Sequence, residues 1–249
     1  MKKYRVGFYR SIAAVAMSSG LWVVSTPAAS NDAVQALTPG TMSARVAACT
    51  SCHGAQGRAG TDGYYPRLAG KPQAYLYNQL LNFRDGARTY RPMSHLLQGL
   101  PDDYLQDMAA YFAEQHVPYP APSAPTAPPA IVKHGGNLVL NGDAARQLPA
   151  CASCHGATLG GMLPGIPGLL GLPRDYLASQ LGGWRSGLRH AHAPDCMAEI
   201  VGKMTPEDIA AVSIWLSAQP VPSSYAPEVA STAPLPMHCG SHSSTGTAQ

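Results

Sequence analysis

The chain has 249 residues, only 12% of them charged, with 25 glycines and 23 prolines. Its 17 basic residues against 14 acidic ones give a formal charge of +3, but Lys2, Lys3, Arg5 and Arg10 supply that excess. Without those four, 13 basic residues face 14 acidic ones, so the basicity belongs to the N-terminus and excludes an electrostatic case for nucleic acid.

Residues 1–30 read as a signal peptide. The four cations form a basic start, and Ser11 to Val24 is mostly apolar. Ala28 and Ser30 place small residues at the −3 and −1 positions of a cleavage site after Ser30. The apolar run is shorter than the ~20 residues a membrane span needs. No later segment is long and apolar enough to cross a bilayer. The sequence therefore predicts an exported, periplasmic protein without a transmembrane anchor, at most peripherally associated with a membrane complex.

Residues 31–117 form the first of two predicted domains. Thr38-Pro39 is expected to open a helix, with threonine as cap and proline at the first helical position. Cys49-Thr50-Ser51-Cys52-His53 comes next. Cys-x-x-Cys-His is the attachment signature of a c-type haem: two thiols one helical turn apart add to the vinyl groups, and the histidine ligates the iron. The same signature returns 102 residues later as Cys151-Ala152-Ser153-Cys154-His155. A zinc ribbon closes its two pairs over roughly 15–20 residues, so these pairs stand too far apart. A thiol redox motif needs a βαβ setting, which neither copy has. Two covalently bound haem c groups are the expected cofactors.

The repeat extends beyond the signatures. Pro66-Arg67-Leu68-Ala69-Gly70-Lys71-Pro72 answers to Pro167-Gly168-Leu169-Leu170-Gly171-Leu172-Pro173, and Phe83-Arg84-Asp85-Gly86 to Trp184-Arg185-Ser186-Gly187. Pro72 and Pro173 are expected to open helices. A closing helix starts near Pro101 in one copy and at Thr205-Pro206-Glu207-Asp208 in the other. Leu105, Met108 and Phe112 share one helical face, as do Ile209, Val212 and Leu216. The proline-rich residues 118–132 are the predicted linker, either a spacer or a strap. Residues 133–219 form the second domain. Residues 220–249, rich in Ser, Pro, Thr and Ala, read as a disordered tail.

The sixth iron ligand decides what such haems do. Methionine gives an electron-transfer centre of raised potential, whereas an open site permits ligand chemistry. Met93 lies 40 residues after His53 and Met197 lies 42 after His155. Each precedes a closing helix, and each is followed seven residues later by a matched apolar residue, Leu100 or Met204. Met42, Met108 and Met162 have no counterparts and read as packing residues.

With these motifs the chain resembles diheme class I cytochromes c of the cytochrome c4 type, over roughly Ala36 to Gln219. The resemblance implies an all-α fold of two tandem class I cytochrome c domains. It implies axial pairs His53/Met93 and His155/Met197, with Cys49, Cys52, Cys151 and Cys154 holding the haems. It also implies redox protein partners: a dehydrogenase or quinol-oxidising complex on one side, a terminal oxidase or other acceptor on the other. Cys196 replaces the proline beside Met197, and Cys239 lies in the tail. Both are left over in an oxidising compartment, so a Cys196–Cys239 disulfide is expected. The competing arrangement leaves Cys196 free beside the second haem, as in a haem enzyme oxidising a small sulfur compound such as thiosulfate.

Overall fold

Caps and prolines decide where the helices begin. The computed structural model describes residues 40–242 apart from 61, 123, 126 and 230–233. The signal segment, the Thr38-Pro39 helix start and residues 243–249 lie outside the described residues. Helix α1 (Met42–Arg45) is capped by Thr41, whose hydroxyl accepts the Ala44 N–H at 3.2 Å. Helix α2 (Ala47–His53) carries the first haem signature. Helices α3 (Gln73–Arg84), α4 (Arg91–Leu97) and α5 (Asp102–Ala113) complete the first repeat. Pro72 and Pro101 stand at the N-caps of α3 and α5, where a missing N–H costs nothing.

The second repeat keeps the same order. Helix α6 (Pro129–Asn141) leads to α7 (Ala152–His155), α8 (Arg174–Arg185), α9 (Cys196–Gly202) and α10 (Pro206–Ser217). Two strands of two residues each, β1 (Gly161–Met162) and β2 (Ile166–Pro167), pair antiparallel. The architecture is otherwise helical, as the sequence predicts. Each repeat has its own core. Val46, Leu76, Leu105, Met108 and Phe112 anchor the first, and Val139, Leu177, Met204, Val212 and Leu216 the second.

The predicted linker is part helix. Helix α6 begins at Pro129 and packs closely on α10. A Cβ added at Gly135 would lie 2.1 Å from the Ala211 carbonyl oxygen, so the two backbones meet directly. The preceding stretch is a strap. Arg67, buried, donates to the carbonyls of Val117 and Pro118 and stacks 3.8 Å from the Tyr119 ring centroid. Tyr119 then meets Tyr225 edge-on at 5.5 Å. Composition predicts disorder after Gln219. The described residues 220–229 and 234–242 instead lie along the second repeat, because specific hydrogen bonds and a disulfide offset the entropy of ordering a polar segment.

Asp208 joins three elements of the second repeat. It accepts the Thr205 N–H at 2.8 Å in a capping box, Arg146 at 2.5 Å and His134 of α6 at 2.7 Å. Burial alone would raise its pKa, but the bonds from Arg146, Thr205 and His134 outweigh burial and hold it at about 2. A carboxyl depressed in the folded state contributes stability above its unfolded pKa of ~3.9 and loses it as pH falls toward 2. Asp208→Asn should therefore lower the denaturation free energy at pH 7 by about 2 kcal/mol, the exposed share of the Arg146 contact being discounted. The variant should also lose much of the wild type's acid dependence between pH 4 and pH 2. Urea titrations across that range check both.

Candidate cofactor sites

Each site is built from a short helix ending in histidine and a loop that turns back under it. Cys49, Cys52 and His53 sit on α2, and Cys151, Cys154 and His155 on the equivalent turn at α7. Gly54 and Gly156 come directly after, with φ of +74° and +85°. A side chain at either would meet its surroundings, the Ala59 carbonyl oxygen at 2.4 Å or the Glu228 carboxylate at 2.8 Å. The left-handed conformation and the close approach both require glycine.

The turn aims each imidazole. Nδ1 of His53 donates to the Pro66 carbonyl at 2.8 Å, and Nδ1 of His155 to the Pro167 carbonyl at 2.8 Å. A donating Nδ1 leaves Nε2 unprotonated, as an iron ligand must be. Both rings are buried, and burial lowers both pKa values and so favours the neutral form. The four signature cysteines form no disulfide and stand apart from the Cys196–Cys239 pair. Among the described residues no three histidine, cysteine or acidic side chains gather into a group that could hold a metal ion.

Met93 and Met197 occupy matched helices. Met93 is on α4 and Met197 on α9, each half-buried against the core of its own repeat. Met108, Met162 and Met204 are buried, as packing residues should be, and Met42 packs against the first core. Cys196 is bonded to Cys239, Cα to Cα 5.4 Å apart. Its sulfur is therefore not available to an iron, which removes the residue on which the sulfur-oxidising alternative rested.

Between the repeats lies a set of cations that the motifs and the repeat did not single out. Arg88 donates to Gln79 at 2.9 Å and across the interface to Gln180. Arg189 donates to Gln180 at 2.9 Å and across to Gln79 at 3.0 Å. Thr89 N–H to the Leu188 carbonyl at 2.8 Å and His190 N–H to the Ala87 carbonyl at 2.7 Å add a backbone bridge. Lys71 reaches over to the Gly168 carbonyl at 2.7 Å. Lys71, Arg88 and Arg189 are buried, and among the described residues no carboxylate forms an ion pair with them. Burial lowers the Arg189 pKa and brings Lys71 down to about 7. Trp184, stacked 3.8 Å from the Arg189 guanidinium, has a buried indole N–H with no acceptor among the described residues. Unpaired buried cations and an orphaned donor fit a cofactor that carries carboxylates, as haem c does with two. A usable signal was present in the sequence. The Phe83–Gly86 and Trp184–Gly187 match continues two residues further to Arg88 and Arg189.

No protein-family model matches the chain. It is similar to cytochrome c4 of Pseudomonas aeruginosa, 37% identical over 175 residues covering 70% of this chain and 84% of the relative. It is also similar to a thiosulfate dehydrogenase electron acceptor of Thiomonas intermedia (strain K12), 36% identical over 178 residues covering 70% of this chain and 80% of that protein. Among solved structures, reduced cytochrome c4 from Pseudomonas stutzeri aligns with a TM-score of 0.60 and 33% identity, covering 70% of this chain and 95% of its own.

Proposed function

Since the chain belongs to the cytochrome c4 family, diheme electron-transfer proteins with two covalent haem c groups, we propose a role for each residue of its two sites. Cys49 and Cys52 hold one haem and Cys151 and Cys154 the other. His53 and His155 would ligate the two irons on one side, and Met93 and Met197 would supply the second ligands. Such a haem would exchange one electron reversibly, at a potential that a methionine ligand would raise. The observation that carries this reading is the duplicated donor set. In both repeats a buried histidine gives its Nδ1 proton to a matched proline carbonyl, and a methionine sits on the equivalent short helix.

The chain's own groups prepare both sites. The proline carbonyls fix the ring tautomer and orientation, the cores exclude water, and Arg88 with Arg189 would offset haem carboxylates reaching the repeat interface. The protein works in the periplasm as a carrier between a dehydrogenase or quinol-oxidising complex and a terminal acceptor. The name of the Thiomonas relative points to a thiosulfate-oxidising donor.

Mixing oxidised holoprotein with thiosulfate alone should leave both haems oxidised. Adding a catalytic amount of thiosulfate dehydrogenase should reduce both. Turnover of thiosulfate by the holoprotein alone would overturn the carrier reading. Silence toward the dehydrogenase would overturn this choice of donor.

A further inference from the structure

The chain runs on past the closing helix of each repeat, α5 in the first and α10 in the second. In the second, the segment after α10 returns along the loop that carries the carbonyl partner of His155. The Tyr225 hydroxyl donates to the Leu159 carbonyl at 2.6 Å and accepts the Leu170 N–H at 2.8 Å. Glu228 pairs its backbone with Gly161 and Leu163 at 2.9 and 2.8 Å. Its carboxylate accepts the Thr158 N–H at 3.2 Å and the Thr158 hydroxyl at 3.3 Å.

Eleven residues beyond Glu228, the same segment is fastened to the helix that bears Met197. Cys239 is bonded to Cys196, the residue before Met197. Gly240 donates its N–H to the Pro194 carbonyl at 2.9 Å. The contact is close: a Cβ on Gly240 would lie 2.1 Å from the Ala193 carbonyl oxygen. Ser241 accepts the His192 N–H at 3.2 Å. The Asp195 side chain caps the same turn by accepting the N–H groups of Ala198 and Ala191. In the first repeat Tyr90 stands at the N-cap of α4 without a side-chain capping bond, and Pro92 stands where Cys196 stands.

We propose that the Cys196–Cys239 disulfide and its strap are positioning elements for Met197, tying the distal helix of the second haem to the loop beyond His155. The proposal rests on Met197 being an axial ligand. A tethered helix opens less often, so its methionine leaves the iron less often. The second haem is then the closed one, slow to exchange ligands, and the first is the more labile.

The test compares wild-type holoprotein with Cys196→Ser/Cys239→Ser, which also removes any free thiol that could compete for iron. Cyanide binding to the oxidised protein is measured at each haem, together with both potentials. In the wild type the second haem should bind cyanide more slowly than the first. In the double variant its rate should rise about tenfold, well within what a cross-link contributes by restricting open states. Its potential should fall as methionine ligation weakens, while the first haem keeps its rate and potential. Tyr225→Phe, which keeps the disulfide and loses only the hydroxyl anchor, should move the second haem the same way by a smaller factor. It supplies the measurement if the double variant fails to retain its haems. Unchanged cyanide rates at both haems, in a wild type showing sulfur–iron charge-transfer absorption for two haems, overturn the clasp alone. Such absorption for only one haem, with the second lacking it, overturns the Met197 assignment instead.

Discussion

Met93→Ala is expected to lower the potential of the first haem by a few hundred millivolts, within the roughly 0.8 V range that axial ligation commands. Thioether sulfur favours the reduced iron, so its loss favours the oxidised form. The vacated position should bind carbon monoxide in the ferrous protein, and the sulfur–iron charge-transfer band should fall to half. The second haem, whose repeat has its own core, should barely change. Met108→Ala is the control. That side chain is buried at 4% exposure in the first core, so its truncation should cost about 2–5 kcal/mol and leave the spectrum alone. Voltammetry and carbon monoxide titration of both variants decide the assignment. A Met93 variant with the full two-haem band would remove Met93 from the iron.

Much of this site was legible because its chemistry is written in adjacent residues. Cys-x-x-Cys-His needs one helical turn, and repetition turned each ambiguous methionine into a matched pair. The leftover cysteines paired as oxidising conditions predict. The helix starts at Pro72, Pro101, Pro173 and Thr205 were legible for a local reason too, since a cap depends on a few neighbouring residues. What composition concealed was long-range. Nothing in the alanine- and serine-rich stretch around Tyr225 announces that its hydroxyl will bridge two backbone groups more than fifty residues upstream. Helix α6 was partly hidden inside a proline-rich run, because Pro129 both ends the linker and starts the helix. Pro66 and Pro167 were aligned as repeat markers. Their carbonyls turned out to matter more than their rings.

Replacing both interface arginines, as Arg88→Met/Arg189→Met, should lower the potentials of both haems together. A buried cation favours the reduced iron, which carries one positive charge fewer. At an effective dielectric of ~20, a unit charge on the order of 10 Å away contributes roughly 1.5 kcal/mol, and compensation by the haem carboxylates reduces that to a shift of some tens of millivolts. The same change removes the hydrogen bonds with which each guanidinium spans Gln79 and Gln180. Arg88→Lys separates charge from geometry. Lysine can carry the positive charge where a haem carboxylate offsets its burial, but it cannot fork between two glutamine oxygens. The lysine variant should therefore hold the potentials near wild type while the repeats separate more readily, read as faster amide exchange at Thr89 and His190. Both of those N–H groups are now bonded across the interface. If the Met/Met variant keeps both potentials, the arginines do not act on the haems electrostatically, and their role is confined to joining the repeats.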